Sequence, residues 1–286
     1  MFDALIGKAF PGDNIVIGLG DSFTQGVGSW SEETYKANKG WIDPLNTSES
    51  LYPEMYENSW VSQLCKYYLT GYKPINLGQL GKGNRAAVKE LYLNPQACIP
   101  LASDVIVVYM LSGMERFDFV NKDFTNIHFT TMWPNPWDEK SPDKKLWKAY
   151  ATSVWSEKFI CIETLLNIKE AETFCKAHGY KFVITSAFEQ RFTKEYFINT
   201  LGAKHEDLIN SIPWDNVLYP KKCKSFIELL LHYDGRPELA YGEFYDVYSK
   251  LKKPTQYITN CCHPTREGYR IIAEELSNFI KEKGYV

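Results

Sequence analysis

The chain lacks the features that mark several classes of protein. Its 32 Lys and Arg residues against 35 Asp and Glu give a formal net charge of −3, so no basic excess indicates a nucleic acid or an anionic membrane as partner. No uninterrupted apolar run approaches the ~20 residues that span a bilayer, and residues 1–8 lack the basic and apolar segments of a signal peptide. We therefore expect no nucleic-acid partner, no membrane partner and no secretion.

The cysteines also lack the pattern of a disulfide framework. There are seven, an odd number, and they form no C-x-x-C pair, which indicates reduced thiols in a cytoplasmic type of compartment. The neighbours Cys261 and Cys262 could ligate zinc, but no second Cys/His pair lies at ligand spacing from them. The sequence therefore predicts no metal site.

Aromatic side chains are abundant, at 15% of the chain with 8 Trp and 19 Tyr. Such a content suits stacking against sugar rings, but it suits burial in a large core or an interface equally well. Composition does not choose between these uses.

Four apolar runs predict buried parallel strands because they are nearly continuous rather than alternating. They are residues 15–19, 74–77, 105–110 and 182–186, with a weaker fifth candidate at 217–219. Apolar residues at helical spacing predict helices between or after them: Trp60, Leu64 and Tyr67; Trp155, Phe159, Ile162 and Leu166, ending at Gly179; and Tyr269, Ile272, Leu276 and Phe279, ending at Gly284.

Strands that alternate with helices predict an α/β fold, a three-layer αβα sandwich around a parallel sheet of about five strands. We expect residues 1–286 to form a single domain. Three polar or aromatic stretches, at about 29–58, 120–153 and 188–258, are interpreted as insertions at the strand ends.

Three polar segments lie where parallel sheets place their sites. The first strand runs into residues 20–26, where Ser22 stands on a Gly-Asp-Ser turn that suits a presented nucleophile or a simple helix N-cap. His263 precedes the last helix, and a serine needs such a base to become a nucleophile. Residues 76–84 carry three glycines whose N–H groups suit an oxyanion better than a phosphate, because phosphate-loop spacing is missing.

These segments resemble three sequence blocks of the GDSL/SGNH hydrolase family. The blocks are Gly-Asp-Ser-x-Thr-x-Gly at 20–26, Asn-x-Gly-x-x-Gly at 76–81 and His-Pro-x-x-x-Gly-Tyr at 263–269, in family order within about 14–284. The resemblance implies a flavodoxin-like sheet and cofactor-free hydrolysis of esters, often acetyl groups on carbohydrate.

The resemblance also implies roles for individual residues. Ser22 is the nucleophile and its N–H an oxyanion donor, with the N–H of Gly81 as the next donor. His263 takes the Ser22 proton and later delivers it to the leaving alcohol. Asp21 is expected to be structural, and Asn84 is expected to bind substrate.

The third block of the family, Gly-x-Asn-Asp, has no counterpart here. Residues 111–118 read Leu-Ser-Gly-Met-Glu-Arg-Phe-Asp, without the Asn that donates to the oxyanion, a variant that resembles SGNH-like proteins of tailed phages. Either Ser112 or Arg116 replaces the missing donor, or Arg116 holds the loop to a carboxylate. Loss of one donor costs ~3 kcal/mol of transition-state stabilisation.

The last block of the family reads Asp-x-x-His, whereas this chain has Asn260 three residues before His263. An Asn holds the ring but brings no negative charge, and the same change in a serine protease lowers turnover by ~10⁴. Asn260 is the predicted catalytic partner at this position. Otherwise Asp234 or Asp246 fills the role, a Ser-His dyad works slowly, or catalysis is vestigial.

The insertions bear on the substrate. Trp133 and Trp137, with Trp147 and Tyr150 beyond them, are predicted to offer stacking surfaces for sugar rings, or else to pin a long loop or contact another chain. The favoured function is a serine-dependent ester hydrolase that deacylates, and more narrowly deacetylates, a carbohydrate through a Ser-His acyl-enzyme. The partner expected is a small acyl ester or an acylated polysaccharide.

The alternative is a catalytically weakened structural or glycan-binding subunit of the same fold, with homo-oligomer or virion contacts. The location expected is cytoplasmic, or the virion if the chain is of phage origin.

Overall fold

A computed structural model of the chain describes residues 8–31, 33–34, 51–94, 97, 102–120, 129–132, 144–241 and 255–286. Within these residues, four parallel strands form the central sheet and two antiparallel strands form a separate ribbon. The strands are β1 (Asn14–Leu19), β2 (Tyr72–Asn76), β3 (Asp104–Leu111), β4 (Phe117–Val120), β5 (Phe129–Met132) and β6 (Lys181–Ser186). β4 and β5 make the ribbon.

Helices connect the strands of the sheet. Those of the described residues are α1 (Ser22–Gln25), α2 (Tyr52–Asn58), α3 (Trp60–Gln63), α4 (Asn84–Leu93), α5 (Lys144–Ser153), α6 (Glu157–His178), α7 (Lys194–Leu201), α8 (Glu206–Asn210), α9 (Phe226–Tyr233) and α10 (Arg266–Glu282). Four short 3₁₀ turns lie at Ala203–His205, Trp214–Asn216, Pro220–Lys222 and Pro237–Tyr241. No helix in this part of the chain combines the length and the apolar content that a bilayer crossing needs.

The strands bury both faces because alternate residues point to opposite sides. Ile15 and Val107 pack with α4, α6 and α7 in one hydrophobic cluster. Val16 and Ile106 pack with α3, α9 and α10 in another. The expected α/β architecture, a parallel sheet with helices on both faces, is confirmed.

The sheet is narrower than predicted within the described residues. Its order is β2-β1-β3-β6, and the fifth strand expected at 217–219 contributes a single parallel bridge between Ile184 and Val217. This order matches the first four strands of the flavodoxin-like arrangement 2-1-3-4-5. The chain reverses direction across the sheet between β1 and β3, and ligands of such sheets bind outside the carboxyl ends of the strands at that point.

The spacing of apolar residues predicts the position of α6 correctly but not the face that it buries. Ser156 caps its start and Gly179, with φ of 71°, ends it as expected. Within the predicted stripe, however, Trp155 is 41% and Leu166 is 47% exposed, whereas Leu165 is fully buried. The helix carries apolar residues on two adjoining faces, and only packing against the sheet selects one of them.

Of the other two predicted apolar helix faces, the first is wrong at Tyr67 and the second is correct. Residues Leu64–Tyr68 form a π-helical turn after α3, which leaves Tyr67 48% exposed and takes it out of the face of Leu64. In α10 the predicted face is correct, since Tyr269 and Leu276 are fully buried, and Gly284 follows the helix end with φ of 66°.

Candidate active site

Ser22 is the first residue of α1, just beyond the end of β1. Asp21 caps this helix, because its Oδ1 accepts a hydrogen bond of 3.0 Å from the N–H of Phe23. Gly20 has φ of 152°, and a Cβ there would lie 2.7 Å from the carbonyl oxygen of Met110. The turn thus requires a glycine. It places Ser22, which is 3% exposed, at the carboxyl end of β1.

His263 lies on a turn that Thr259 closes. The Thr259 N–H donates to the His263 carbonyl at 2.8 Å, and the His263 N–H donates to Oγ1 of Thr259 at 3.1 Å. Cys262 adopts a left-handed φ of 61° inside this turn. Thr265 then caps α10 by accepting from the Gly268 N–H at 3.2 Å. The His263 backbone is therefore fixed on both sides.

The structure brings Ser22 and His263 together. Nε2 of His263 lies 2.7 Å from Oγ of Ser22, although 241 positions separate them in the chain. The His263 ring is 8% exposed, and the ring of Phe23 packs against it with centroids 5.4 Å apart. A distance of 2.7 Å is within the range for direct proton transfer between hydroxyl and imidazole.

The other ring nitrogen of His263 faces Cys261. Nδ1 lies 2.9 Å from the Cys261 carbonyl oxygen and 3.3 Å from its Sγ. A carbonyl oxygen only accepts hydrogen bonds, so it selects the tautomer that carries the proton on Nδ1. The lone pair of Nε2 is then directed at Ser22, as a general base requires.

Cys261 takes the place that the sequence predicts for Asn260. Both contacts of Nδ1 go to Cys261, while Asn260 is half-buried beside the turn. Cys262, with its left-handed φ, turns the chain back on itself. The carbonyl of Cys261 therefore reaches Nδ1 of His263, and the side chain of Asn260 does not. Of the alternatives, Asp234 is hydrogen-bonded to Oγ1 of Thr255, and Asp246 lies outside the described residues.

Cys261 and His263 shift each other's pKa. Burial lowers the pKa of the His263 imidazole, but the negative charge and hydrogen bonds of Cys261, and the Asp21 carboxylate, raise it above its ordinary value. Burial raises the pKa of the Cys261 thiol, but the His263 charge and hydrogen bonds from His263 and Thr259 outweigh this and leave it lowered. Each residue therefore stabilises the charged form of the other.

Ser112 and Arg116, the predicted replacements for the missing oxyanion donor, contact Asp21 instead. Oδ2 of the fully buried Asp21 accepts from Oγ of Ser112 at 2.9 Å and from Nη1 of Arg116 at 2.7 Å. Nη1 of Arg116 also donates to the Lys82 carbonyl at 2.9 Å. The Ser112 hydroxyl has one proton and donates it to Asp21, so its prediction as an oxyanion donor is corrected to a structural role. The contact of Arg116 agrees with the predicted alternative, in which its guanidinium holds the loop to a carboxylate. Asp21 has the structural role expected of it.

The loop after β2 lies against the helix that carries the serine. Nδ2 of Asn76 donates to a carbonyl oxygen of α1 at 2.7 Å, and the Leu80 N–H donates to Oε1 of Gln25 at 2.7 Å. Gly81 follows with φ of 77°. The loop thereby packs against α1, where the N–H of Ser22 has no partner within its own helix, and the role of Gly81 as the next donor stays a prediction.

Asn84, expected to bind substrate, supports β3 instead. Its Oδ1 accepts from the Ser112 N–H at 2.8 Å, its Nδ2 donates to the Ser112 carbonyl at 3.3 Å, and it is 4% exposed. The expectation is corrected because the amide is used inside the protein. Sequence reasoning missed Asp118, whose carboxylate accepts from the N–H groups of Gly83 at 3.0 Å and Ala86 at 2.9 Å and caps α4.

Most of the predicted stacking aromatics lie outside the described residues. This applies to Trp133 and Trp137, and to the side chain of Trp147. Tyr150 is 6% exposed and packs edge-on against Phe159 with centroids 6.4 Å apart. Tyr150 is therefore a packing residue and offers no stacking surface.

One group of the described residues brings three metal-ligating atoms together. The atoms of Cys223, Glu228 and His232 lie within 4.8 Å of one another, and thiolate, carboxylate and imidazole are ligands of zinc. However, Glu228 accepts from the Lys224 N–H at 2.6 Å, and its own N–H donates to the N-cap Ser225 at 3.4 Å. This capping arrangement at the start of α9 accounts for the position of the carboxylate without a metal.

The chain matches no protein-family model and no curated protein sequence. Among solved structures it is similar to LAE5, an alpha/beta hydrolase enzyme from the metagenome of Lake Arreo in Spain, with 12% identity over 95% of this chain and 97% of that chain and a TM-score of 0.38. It is also similar to the YxiM protein of Bacillus subtilis, with 15% identity, a TM-score of 0.43 and 96% of this chain covered. The chain spans 58% of the length of YxiM. At these TM-scores neither similarity bears on function.

Proposed function

We propose that the chain is a serine-dependent ester hydrolase of the SGNH type. The observation that carries this proposal is the 2.7 Å contact between Oγ of Ser22 and Nε2 of His263. The Cys261 carbonyl supports it further, because it holds the ring in the tautomer that accepts a proton at Nε2. A serine and a histidine that served only to form turns or cap helices would not need this arrangement.

The proposed reaction proceeds through an acyl-enzyme. Oγ of Ser22 attacks the ester carbonyl while its proton passes to Nε2 of His263. The N–H groups of Ser22 and Gly81 stabilise the oxyanion of the tetrahedral intermediate. Nε2 then gives its proton to the leaving alcohol, and a water molecule, deprotonated by the same nitrogen, releases the acid and regenerates Ser22.

The substrate class proposed is an acyl ester, on a small molecule or on a polysaccharide. Support for a carbohydrate comes from the resemblance to the family and from Trp133 and Trp137, whose indole rings suit stacking against sugars.

The test is the substitution Ser22→Ala, assayed with p-nitrophenyl acetate. We expect turnover to fall to the uncatalysed background, because the nucleophile is lost, while the thermal midpoint stays near that of the wild type. Ser29→Ala is the matched control: Ser29 is also fully buried, but its hydroxyl donates to the Gly26 carbonyl at 2.7 Å. Equal slow turnover by the wild type and Ser22→Ala would contradict the proposal.

A second function is favoured by the absence of the third-block Asn, which donates to the oxyanion in the family. Because the single proton of the Ser112 hydroxyl is donated to Asp21, Ser112 does not replace the Asn of the third block, and the loss of one oxyanion donor costs ~3 kcal/mol. The alternative is thus a weakened hydrolase that serves as a structural or glycan-binding subunit, in a homo-oligomer or a virion. Size-exclusion chromatography alongside the esterase assay separates the two, since efficient acyl release by a free monomer contradicts the alternative.

A further inference from the structure

Cys261 places a buried, ionisable side chain against the base of the proposed reaction. Its Sγ lies 3.3 Å from Nδ1 of His263 and 3.1 Å from Oγ1 of Thr259, and the residue is 5% exposed. The other ionisable groups that act on this pair are Asp21, whose charge acts on the ring, and Cys262, the neighbouring buried thiol. Among the described residues, no carboxylate is hydrogen-bonded to the His263 ring.

A base of this kind needs two things from its Nδ1 side. The ring must be held in one tautomer, and the positive charge that forms when it takes the serine proton must be stabilised. The Cys261 carbonyl oxygen meets the first need at 2.9 Å, but it carries no net charge. The second need is left to a side chain, and Sγ of Cys261 is the ionisable atom in contact with Nδ1.

We propose that Cys261 is the positioning residue of the Ser22–His263 pair, and that its thiolate supplies the negative charge that an aspartate supplies in a Ser-His-Asp triad. This inference rests on the proposed function of the same site. No bond to sulfur forms or breaks: the Ser22 proton moves to Nε2, the Nδ1 proton stays between nitrogen, carbonyl oxygen and thiolate, and Nε2 later returns a proton to the leaving group.

The opposite pKa shifts of the two vicinal cysteines agree with this assignment. The pKa of Cys261 is lowered because the His263 charge and hydrogen bonds from His263 and Thr259 outweigh burial. Burial raises the pKa of Cys262 to about 12, so this thiol stays neutral through the pH range in which enzymes are assayed. Two adjacent buried thiols thus differ because only one of them faces the ring.

The proposal predicts a distinctive pH profile. Cys261 and His263 share their protons and lose them in two steps that belong to the pair. The ring must be neutral to act as a base, and it is the strongest base when the thiolate has also formed. With rising pH, the kcat of the wild type therefore keeps increasing until the pair has lost its second proton.

Cys261→Ala tests the charge without disturbing the carbonyl. Removal of a negative charge beside the ring lowers the His263 pKa, so the ascending limb of kcat/KM for p-nitrophenyl acetate moves to lower pH. The plateau of kcat falls about tenfold with KM unchanged, because the imidazolium of the transition state loses its counter-charge. Cys261→Asp restores the plateau of kcat. Its activity rises with pH in a single step, because the carboxylate is already ionised over the pH range in which the ring loses its proton.

Cys262→Ala is the matched control, because it removes the neighbouring buried thiol that does not contact the ring. We expect it to keep the pH profile of the wild type. If Cys261→Ala does not fold, Cys261→Ser gives the same comparison with a group that does not ionise. A profile of Cys261→Ala or Cys261→Ser that superimposes on that of the wild type overturns the inference.

The ultraviolet absorbance of the thiolate gives a readout that does not depend on turnover. The difference in absorbance between the wild type and Cys261→Ala should rise below the ordinary thiol pKa of about 8.5, and His263→Ala should move this rise to higher pH. A rise at or above the ordinary pKa, unaffected by His263→Ala, overturns the inference. If Ser22→Ala retains activity, the proposed function fails, whereas loss of activity in Ser22→Ala with an unchanged Cys261→Ala profile defeats only the role of Cys261.

Discussion

At the scale of single residues, one buried carboxylate holds together the polar segments around Ser22. Asp21 caps α1 through Oδ1 and receives Ser112 and Arg116 on Oδ2. The guanidinium of Arg116 also lies over the ring of Phe188, 5.1 Å from its centroid. These contacts tie the end of β1 to the segment after β3, so the polar side chains of both strand ends hold the turn that carries Ser22.

Ser112→Ala distinguishes a structural hydroxyl from an oxyanion donor. We expect kcat for p-nitrophenyl acetate to stay within a few-fold of the wild type, because the Ser112 proton is donated to Asp21. Loss of a true oxyanion donor lowers kcat by about 10²–10³. A fall of that size in steady-state kinetics, at unchanged thermal stability, would return Ser112 to the oxyanion site.

The sequence was informative about which residues meet at the site and less informative about their partners. Ser22 and His263 were singled out from turn chemistry and from the family blocks, and the structure places them in contact. The partner of Nδ1 is a backbone atom of Cys261, and every residue carries such an atom, so residue type gives no signal for it. For the side-chain contact of Nδ1 with Sγ of Cys261, the available signal is the presence of a thiol two positions before the histidine.

At the scale of elements, the connection after α1 determines where the histidine sits. Gly28 has φ of 95°, and a Cβ there would lie 2.7 Å from the Pro264 carbonyl oxygen and 2.9 Å from Cβ of His263. Real Cβ atoms do not approach so closely, and the Pro264 contact is backbone. The segment after α1 and the turn before α10 therefore touch at a position that admits only glycine.

Gly28→Ala should displace the turn that carries His263. We expect kcat to fall about 10²-fold, because a misplacement on the order of 1 Å has that effect on an aligned pair. Gly235→Ala is the control, since Gly235 also has a positive φ of 69° but a Cβ there meets nothing within 4 Å. If both variants show the same activity in the esterase assay, the close contact does not set the position of the histidine.

Strands were easier to predict than helix faces, for a physical reason. A strand such as β3, buried on both sides, must be apolar throughout, and its sequence shows this directly. A helix such as α6 buries one face, and Leu166 shows that an apolar side chain on the adjoining face remains exposed. The weak fifth strand is reduced to one bridge at Val217, because a 3₁₀ turn begins at Pro220, directly after the predicted run.

At the scale of the whole molecule, the two ends of the chain assemble the site. Ser22 follows the first strand and His263 precedes the last helix, and the hydroxyl of Tyr269 in α10 donates to the Val27 carbonyl at 2.8 Å. The clusters on the two faces of the sheet share the same four strands. The contact between Ser22 and His263 therefore depends on the folded sheet between them.

Activity and structure should therefore be lost together on unfolding. In a urea titration we expect esterase activity, tryptophan fluorescence and far-ultraviolet circular dichroism to share one midpoint, as in a two-state transition. An activity midpoint at clearly lower urea than the other two would show that the histidine turn opens before the sheet does.

The hydrogen bond from the ring to a main-chain carbonyl has a consequence for how such a site changes over generations. Any residue at position 261 inherits that oxygen, so mutation there leaves the orientation of the imidazole intact while altering the electric field around it. A substitution at position 261 therefore changes the basicity of the imidazole while the hydrogen bond that orients the ring is kept. In the proposed hydrolase, descendants of this chain could thus gain or lose catalytic rate through position 261 alone, with the histidine kept in the same orientation.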